Sequence, residues 1–237
     1  MKIEKLPDNH PIFNACRTGD VGLVKQYLDD GICIHADSDS NPCLMSCATA
    51  AGQLEILKLL VGRGIDVQAS LGGVGDQAPI FLALGYQHLD LVDYLFSAGT
   101  PYDIRDGYDT QPIMCAAGSG NSELLRKILD NGANPNASNY QGRTSLMYAA
   151  GANQTQAMEL LLTAGAEIEM RDSTGKTALI RAAQVGNLEA VQWLLDHGAD
   201  INAKDERGKT ASDWATINGH TEIVKLLNKR HGNCGIG

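Results

Sequence analysis

The residues best spaced to do chemistry lie in LGGVGDQAP, residues 71–79. Gly73, Gly75 and Ala78 match the G-x-G-x-x-G/A spacing with which a backbone cradles the pyrophosphate of a dinucleotide. Such a loop works between a strand and a helix, inside a βαβ unit. The segment ahead of it, LEILKLLVGRGIDVQA, instead has the apolar spacing of a helix and its exit. The context for a cofactor is missing, and none is expected. The stretch is expected to be a longer hairpin tip whose glycines permit unusual backbone angles.

The other reactive types are scattered. Cys43 and Cys47 stand four apart and can share a helix face, but no further metal ligands accompany them. Packed thiols are the expected role. His231 and Cys234 fall in the glycine-rich terminus HGNCGIG. No Ser-His-Asp or Cys-His grouping can be assembled from sequence order. No catalytic residue and no metal site is expected, so the chain reads as a non-enzyme.

The elements that carry these residues repeat. Thr144, Thr177 and Thr210 are 33 apart and open the phrases TSLMYAAGAN, TALIRAAQVG and TASDWATING. Earlier counterparts are QPIMCAAGSG, APIFLALGYQ and CLMSCATAAG. Gly31, Gly64, Gly99, Gly132, Gly165 and Gly198 follow at steps of 33, 35, 33, 33 and 33. The two extra residues of the longer step fall in LGGVGDQAP. Within one period, Thr177 can cap a helix and Leu179, Ala182 and Ala183 have inner-helix spacing. Gly186 ends that helix. Leu188, Val191, Leu194 and Leu195 make the apolar stripe of a second helix. A single such unit cannot bury its own apolar face, so neighbours must stack.

GRTSLMYAA at 142–150, GKTALIRAAQVGNLEAVQWLLDHGADINA at 175–203 and GKTASDWATINGHTEIVKLL at 208–227 resemble the ankyrin-repeat family. The resemblance implies an all-α solenoid of about seven stacked helix-turn-helix units with short β-hairpin-like tips. The expected organisation is a lead at 1–9, an array at 10–230 and a flexible tail at 231–237. The unit boundaries are 10–36, 37–69, 70–105, 106–137, 138–170, 171–203 and 204–230. The full T-P-L-H phrase of the family never occurs; its His position holds Ser46, Phe81, Met114, Met147, Ile180 and Asp213. His88 and His220 follow the mid-repeat bend, where local hydrogen bonding is expected. Asn136 and Asn202 resemble the asparaginyl hydroxylation sites of animal ankyrin proteins.

The resemblance implies a protein-binding scaffold that uses hairpin tips and the concave face of the inner helices. Carried over by position, the candidate protein-binding residues are Asp76, Tyr86, Tyr108, Asp109, Ser119, Tyr140, Arg143 and Tyr148. The tip glycine kept at Gly142, Gly175 and Gly208 is replaced by Asn41, Asp76 and Asp109 in earlier repeats. Tyrosine gives large contact area at low rotamer cost. Trp193 is expected to pack on the second helix, and Trp214 to cover the end of the stack. An alternative role is a dedicated inhibitor or immunity protein that occludes a partner enzyme's active site.

Composition fits this reading. The chain is 43% hydrophobic and 5% aromatic, so its core must be Leu, Ile, Val and Ala. Net charge is −9, and residues 1–118 carry 15 acids against 7 bases. That excess repels phosphate and argues against nucleic acid. A partner with a basic surface is expected instead. The six cysteines match no disulfide framework, and the N-terminus lacks an apolar signal core. No apolar run is long enough to span a membrane. A cytoplasmic monomer is expected.

Overall fold

A computed structural model describes residues 10–32, 44–68 and 78–233. Among them are fourteen helices and no strand. The chain divides into two compact units, Met1–Tyr108 and Asp109–Gly237. The first holds α1 (Pro11–Thr18), α2 (Val21–Asp29), α3 (Leu44–Ala50), α4 (Leu54–Gly62), α5 (Pro79–Gly85) and α6 (Leu89–Ser97). The second holds α7 (Pro112–Ser119), α8 (Ser122–Asp130), α9 (Ser145–Gly151), α10 (Thr155–Thr163), α11 (Ala178–Val185), α12 (Leu188–Asp196), α13 (Ala211–Ile217) and α14 (Thr221–Asn233). In each unit the odd-numbered helices form one layer and the even-numbered helices a second. This is the all-α, stacked helix-pair class expected.

Local sequence sets the ends of these helices. Thr144, Thr177 and Thr210 accept from the backbone N–H three residues on, which satisfies an otherwise orphan donor. Pro79 and Pro112 open α5 and α7, where no intrahelical donor is needed. The core is aliphatic: Ile56, Leu57, Leu60, Ile80, Leu91, Leu95, Ile113, Leu125 and Leu161 are fully buried. Phe81, Met114, Met147 and Ile180, at the family's His position, are buried as well.

Several expectations change. The stripe of α12 is Ala190, Val191 and Leu194, whereas Leu188 is 42% exposed because it opens the helix at its first turn. The C-terminal helix runs to Asn233, so His231, Gly232 and Asn233 extend it past the expected boundary at 230. Trp214 does more than cover an end, as its bonding below shows. LGGVGDQ lies outside the described residues, as does Cys43. The segment before it is helix α4 and a turn, not the strand a dinucleotide site requires.

The bend between paired helices is left-handed at Gly19, Gly52, Gln87, Gly120, Asn153, Gly186 and Gly219. The residue after the bend then reaches back to the preceding inner helix. Gln53 Nε2 donates to the Arg17 carbonyl at 3.0 Å, and His88 Nε2 lies 3.1 Å from that of Ala50. Asn187 Nδ2 donates to the Ala150 and Gly151 carbonyls at 2.9 Å, and His220 Nε2 lies 3.2 Å from that of Gln184. These bonds satisfy helix C-terminal carbonyls that have no intrahelical donor. His88 and His220 therefore bond between repeats, not locally as expected. Asn153 uses its side chain differently. Its Oδ1 accepts from Ala190 N at 3.0 Å, which caps α12 in place of Asn187.

Gln87 sits at φ 60 with an exposed side chain. A non-glycine residue pays a steric cost there. Gln87→Gly is expected to raise stability by about 0.5–1 kcal/mol, net of glycine's larger unfolded-state entropy. Urea denaturation of the two chains checks this.

Candidate protein-binding surface

The tips are built on one side chain. Asn139, Asp172 and Asp205 stand 33 apart, and each is buried. Their backbone N–H groups donate to the carbonyls of Arg143, Lys176 and Lys209 at 3.0–3.1 Å. Their Oδ1 atoms accept from the backbone N–H groups two and four residues on, at 2.8–3.1 Å. Among the described residues a single antiparallel bridge, Ser138 to Thr144, is the hairpin-like part. Neighbouring tips are stitched: Ser173 N donates to the Gln141 carbonyl at 2.8 Å, and Glu206 N to that of Thr174 at 3.1 Å. A Cβ on Gly142 would lie 2.9 Å from Ser173 N, and one on Gly175 2.8 Å from Glu206 N. The tip glycines thus let adjacent tips approach.

The second side-chain atom of each Asx residue bonds nine residues on. Asn139 Nδ2 donates to the Tyr148 hydroxyl at 3.0 Å. Arg181 pairs with Asp172 Oδ2. The Trp214 indole N–H donates to Asp205 Oδ2 at 2.8 Å. The Lys176 ammonium lies 4.0 Å above the Trp214 ring and 2.9 Å from Gln184 Oε1. Tyr148, Arg181 and Trp214 are therefore three forms of one strut, placed in the same register of consecutive repeats. Sequence reasoning found none of these struts. The 33-residue recurrence of Asn139, Asp172 and Asp205 is the signal in the sequence that could have found them.

These contacts move the carboxyl groups. Burial raises Asp172, but hydrogen bonds from the Thr174 hydroxyl, Arg181 and the Lys176 and Thr174 backbone outweigh it and hold the group below its ordinary value. Asp205 is lowered in the same way: burial opposes, and the Lys209 backbone and Trp214 indole prevail. Lys176 is lowered by burial and by the Arg181 charge.

The candidate residues are placed as follows. In the first unit, Tyr86 is 57% exposed beside the end of α5, with its ring stacked 6.0 Å from that of His88. Tyr108 is 42% exposed. In the second unit, Asp109 is exposed at φ 57, in register with Gly142. Ser119 is exposed at the end of α7, donating to the Ala116 carbonyl at 3.0 Å. Tyr140 is 59% exposed at its tip, its hydroxyl accepting from Gln141 Nε2 at 2.8 Å. Arg143 is half-buried, and its Nε is buried without a hydrogen-bond partner. Tyr148 is half-buried with its hydroxyl in the strut to Asn139. Asp76 lies outside the described residues. Asn136 is engaged between repeats, its Nδ2 donating to the Gly165 carbonyl and its Oδ1 accepting from Glu167 N.

Among the described residues, no group of three or more His, Cys, Asp or Glu side chains is arranged to hold a metal ion. None of their helices is long and apolar enough to cross a membrane.

Helix pairs stitched through left-handed bends and Asx-built tips define a helical-repeat protein. The family model described as ankyrin repeats, in three copies, matches residues 80–172 and 146–236. The chain belongs to the ankyrin-repeat family. No curated protein matches it. Ankyrin repeats are general protein–protein interaction modules, and the family is typically non-enzymatic.

Proposed function

We propose that this chain is a protein-binding adaptor whose partner contacts the hairpin tips and inner-helix ends of the central repeats. The observation that carries this reading is the exposure of Tyr86, Tyr108 and Tyr140, at 57%, 42% and 59%. Large rings left in water at tips and helix ends are the type of residue that anchors interfaces. The proposed contacts add Asp109, Ser119 and Arg143. Tyr148 supports the tip from behind. Exposed Asp90, Asp93 and Asp103 in the first unit favour a basic partner surface there. Cys16, Cys47 and Cys115 form no disulfide among the described residues, which suits a reducing, cytoplasmic setting.

Affinity capture from native extract tests this, with the wild type beside a Tyr108→Ala/Tyr140→Ala variant. A partner held by the wild type and lost by the variant is expected, because each anchor contributes on the order of 1–2 kcal/mol. Equal capture by both would remove the tyrosines from the interface. Assay of the captured partner, free and bound, then separates an adaptor from an inhibitor.

A further inference from the structure

We infer that the groove between the outer helices α12 and α14 is a second binding site, for short apolar peptides of about three residues with both termini free. The groove holds about 690 Å³, the size of a small-ligand site. It belongs to the outer-helix layer, not to the tips or the inner-helix ends. Its floor is Leu188, Trp193 and Leu226; Leu188 is 42% exposed and the other two are half-buried. The His197 ring stacks on that of Trp193 at 3.7 Å between centroids, and its Nδ1 lies 2.7 Å from the Trp193 carbonyl. The indole is thereby held in place. Arg230, near the end of α14, pairs with Asp196 at the end of α12, so the two helices run side by side in the same direction.

The charges around this floor decide what it takes. Glu222 pairs with Lys225 at 2.7 Å, and Asp196 with Arg230. Two groups are left over. Glu189, in the first turn of α12, accepts only from the neutral Asn153 amide among the described residues, at 3.1 Å. Lys229 is exposed and has no ion-pair partner among the described residues. Glu189 and Glu222 stand 33 apart, in the same register of consecutive repeats, and Lys229 follows Glu222 by two helical turns, about 10 Å. An unanswered carboxylate thus stands at one end of the apolar floor and an unanswered ammonium at the other. A ligand with a single charge answers one end and leaves the other unpaired. A ligand with an ammonium and a carboxylate about 10 Å apart answers both, and an extended tripeptide spans that length. Its apolar side chains then cover Leu188, Trp193 and Leu226. An internal segment of a protein carries neither terminal charge.

The test uses the full chain, isotope-labelled for nuclear magnetic resonance, and the tripeptide Leu-Ala-Leu. The two tryptophans give two indole N–H signals, assigned with Trp193→Phe. Saturable displacement of the Trp193 signal is expected, with the Trp214 signal unmoved because its indole is bonded to Asp205 in the tip. Acetylating the peptide's ammonium, or amidating its carboxylate, should each weaken binding by about two- to fivefold. Glu189→Gln should weaken binding of the free peptide by the same factor and leave that of the acetylated peptide unchanged. Lys229→Gln should do the same with the amidated peptide. Both side chains are exposed, so circular dichroism should match the wild type. Tyr108→Ala/Tyr140→Ala should bind the tripeptide normally, which separates this groove from the tyrosine-bearing surface. No saturable displacement of the Trp193 signal would overturn the inference. So would equal binding of the peptide blocked at both ends, which would make the site one for internal segments.

Discussion

Asp172→Ala is expected to lower stability by about 3 kcal/mol, the largest effect of any tip substitution. The Asp172 side chain is fully buried and serves five donors: Thr174 N and Oγ1, Lys176 N, and the Arg181 guanidinium at two nitrogens. Its removal strands the tip N–H groups and leaves Arg181 without its counter-ion. Arg181 is 18% exposed and regains some hydration, which keeps the loss at the lower end of the range for a broken buried pair. Asp172→Asn should cost less, since the amide oxygen still serves the tip as Asn139 does one repeat earlier. Adding Arg181→Tyr rebuilds the Asn139–Tyr148 arrangement and should recover part of the remaining loss. Urea denaturation of the four chains measures each step.

The same group gives a pH dependence. The folded-state pKa of Asp172 lies below its ordinary value, so the unfolded chain takes up its proton first as pH falls. The stabilisation is present in full above about pH 4, the unfolded value, and is lost as pH drops through the lower folded value. Asp205 and Asp213 shift in the same direction and add to this slope. Asp172→Asn should therefore flatten the loss of stability in acid. An unchanged slope would show that the hydrogen bonds from Thr174, Arg181 and Lys176 do not hold this carboxyl below its ordinary value in solution.

Gly186→Ala is the second large effect, a loss of about 2–4 kcal/mol. Gly186 has φ 99, and an added Cβ would lie 2.6 Å from the His220 ring. That ring is fixed by its contact with the Gln184 carbonyl, so it cannot yield without losing an inter-repeat bond. Gly198→Ala supplies the control. Its φ is 87, but nothing lies within 4 Å of the added carbon. The control should lose only the backbone part, about 1–2 kcal/mol. The difference between the two variants measures how tightly the bend presses on the next repeat.

The repeat period, the helix pairs and the threonine caps were legible because they recur as the same residue at the same step. What stayed hidden recurs as geometry with changing chemistry. Tyr148, Arg181 and Trp214 share no side-chain class, yet each bonds the Asx residue nine positions earlier. Trp214 in particular read as an end cover, because a sequence does not show that Lys176 of the preceding repeat lies over its ring. The long reach of His88 and His220 was missed for a related reason. Their partners are carbonyl groups, and a backbone acceptor leaves no residue-type signal. Leu188 fitted the outer stripe by spacing, but at the first turn of α12 it emerges into solvent. Among the candidate interface residues, exposure of Tyr86, Tyr108 and Tyr140 followed from their positions. The half-burial of Arg143 and Tyr148 did not, since it depends on packing behind the tip.

Site-specific photo-cross-linking tests the functional reading most directly. A benzophenone amino acid is placed at position 108 or 140 in one set of chains, and at position 192 on the outer helix α12 in another. All are irradiated in native extract. The account predicts one common adduct from 108 and 140 and none from 192. An adduct from 192 alone would contradict it and move the interface to the outer helices.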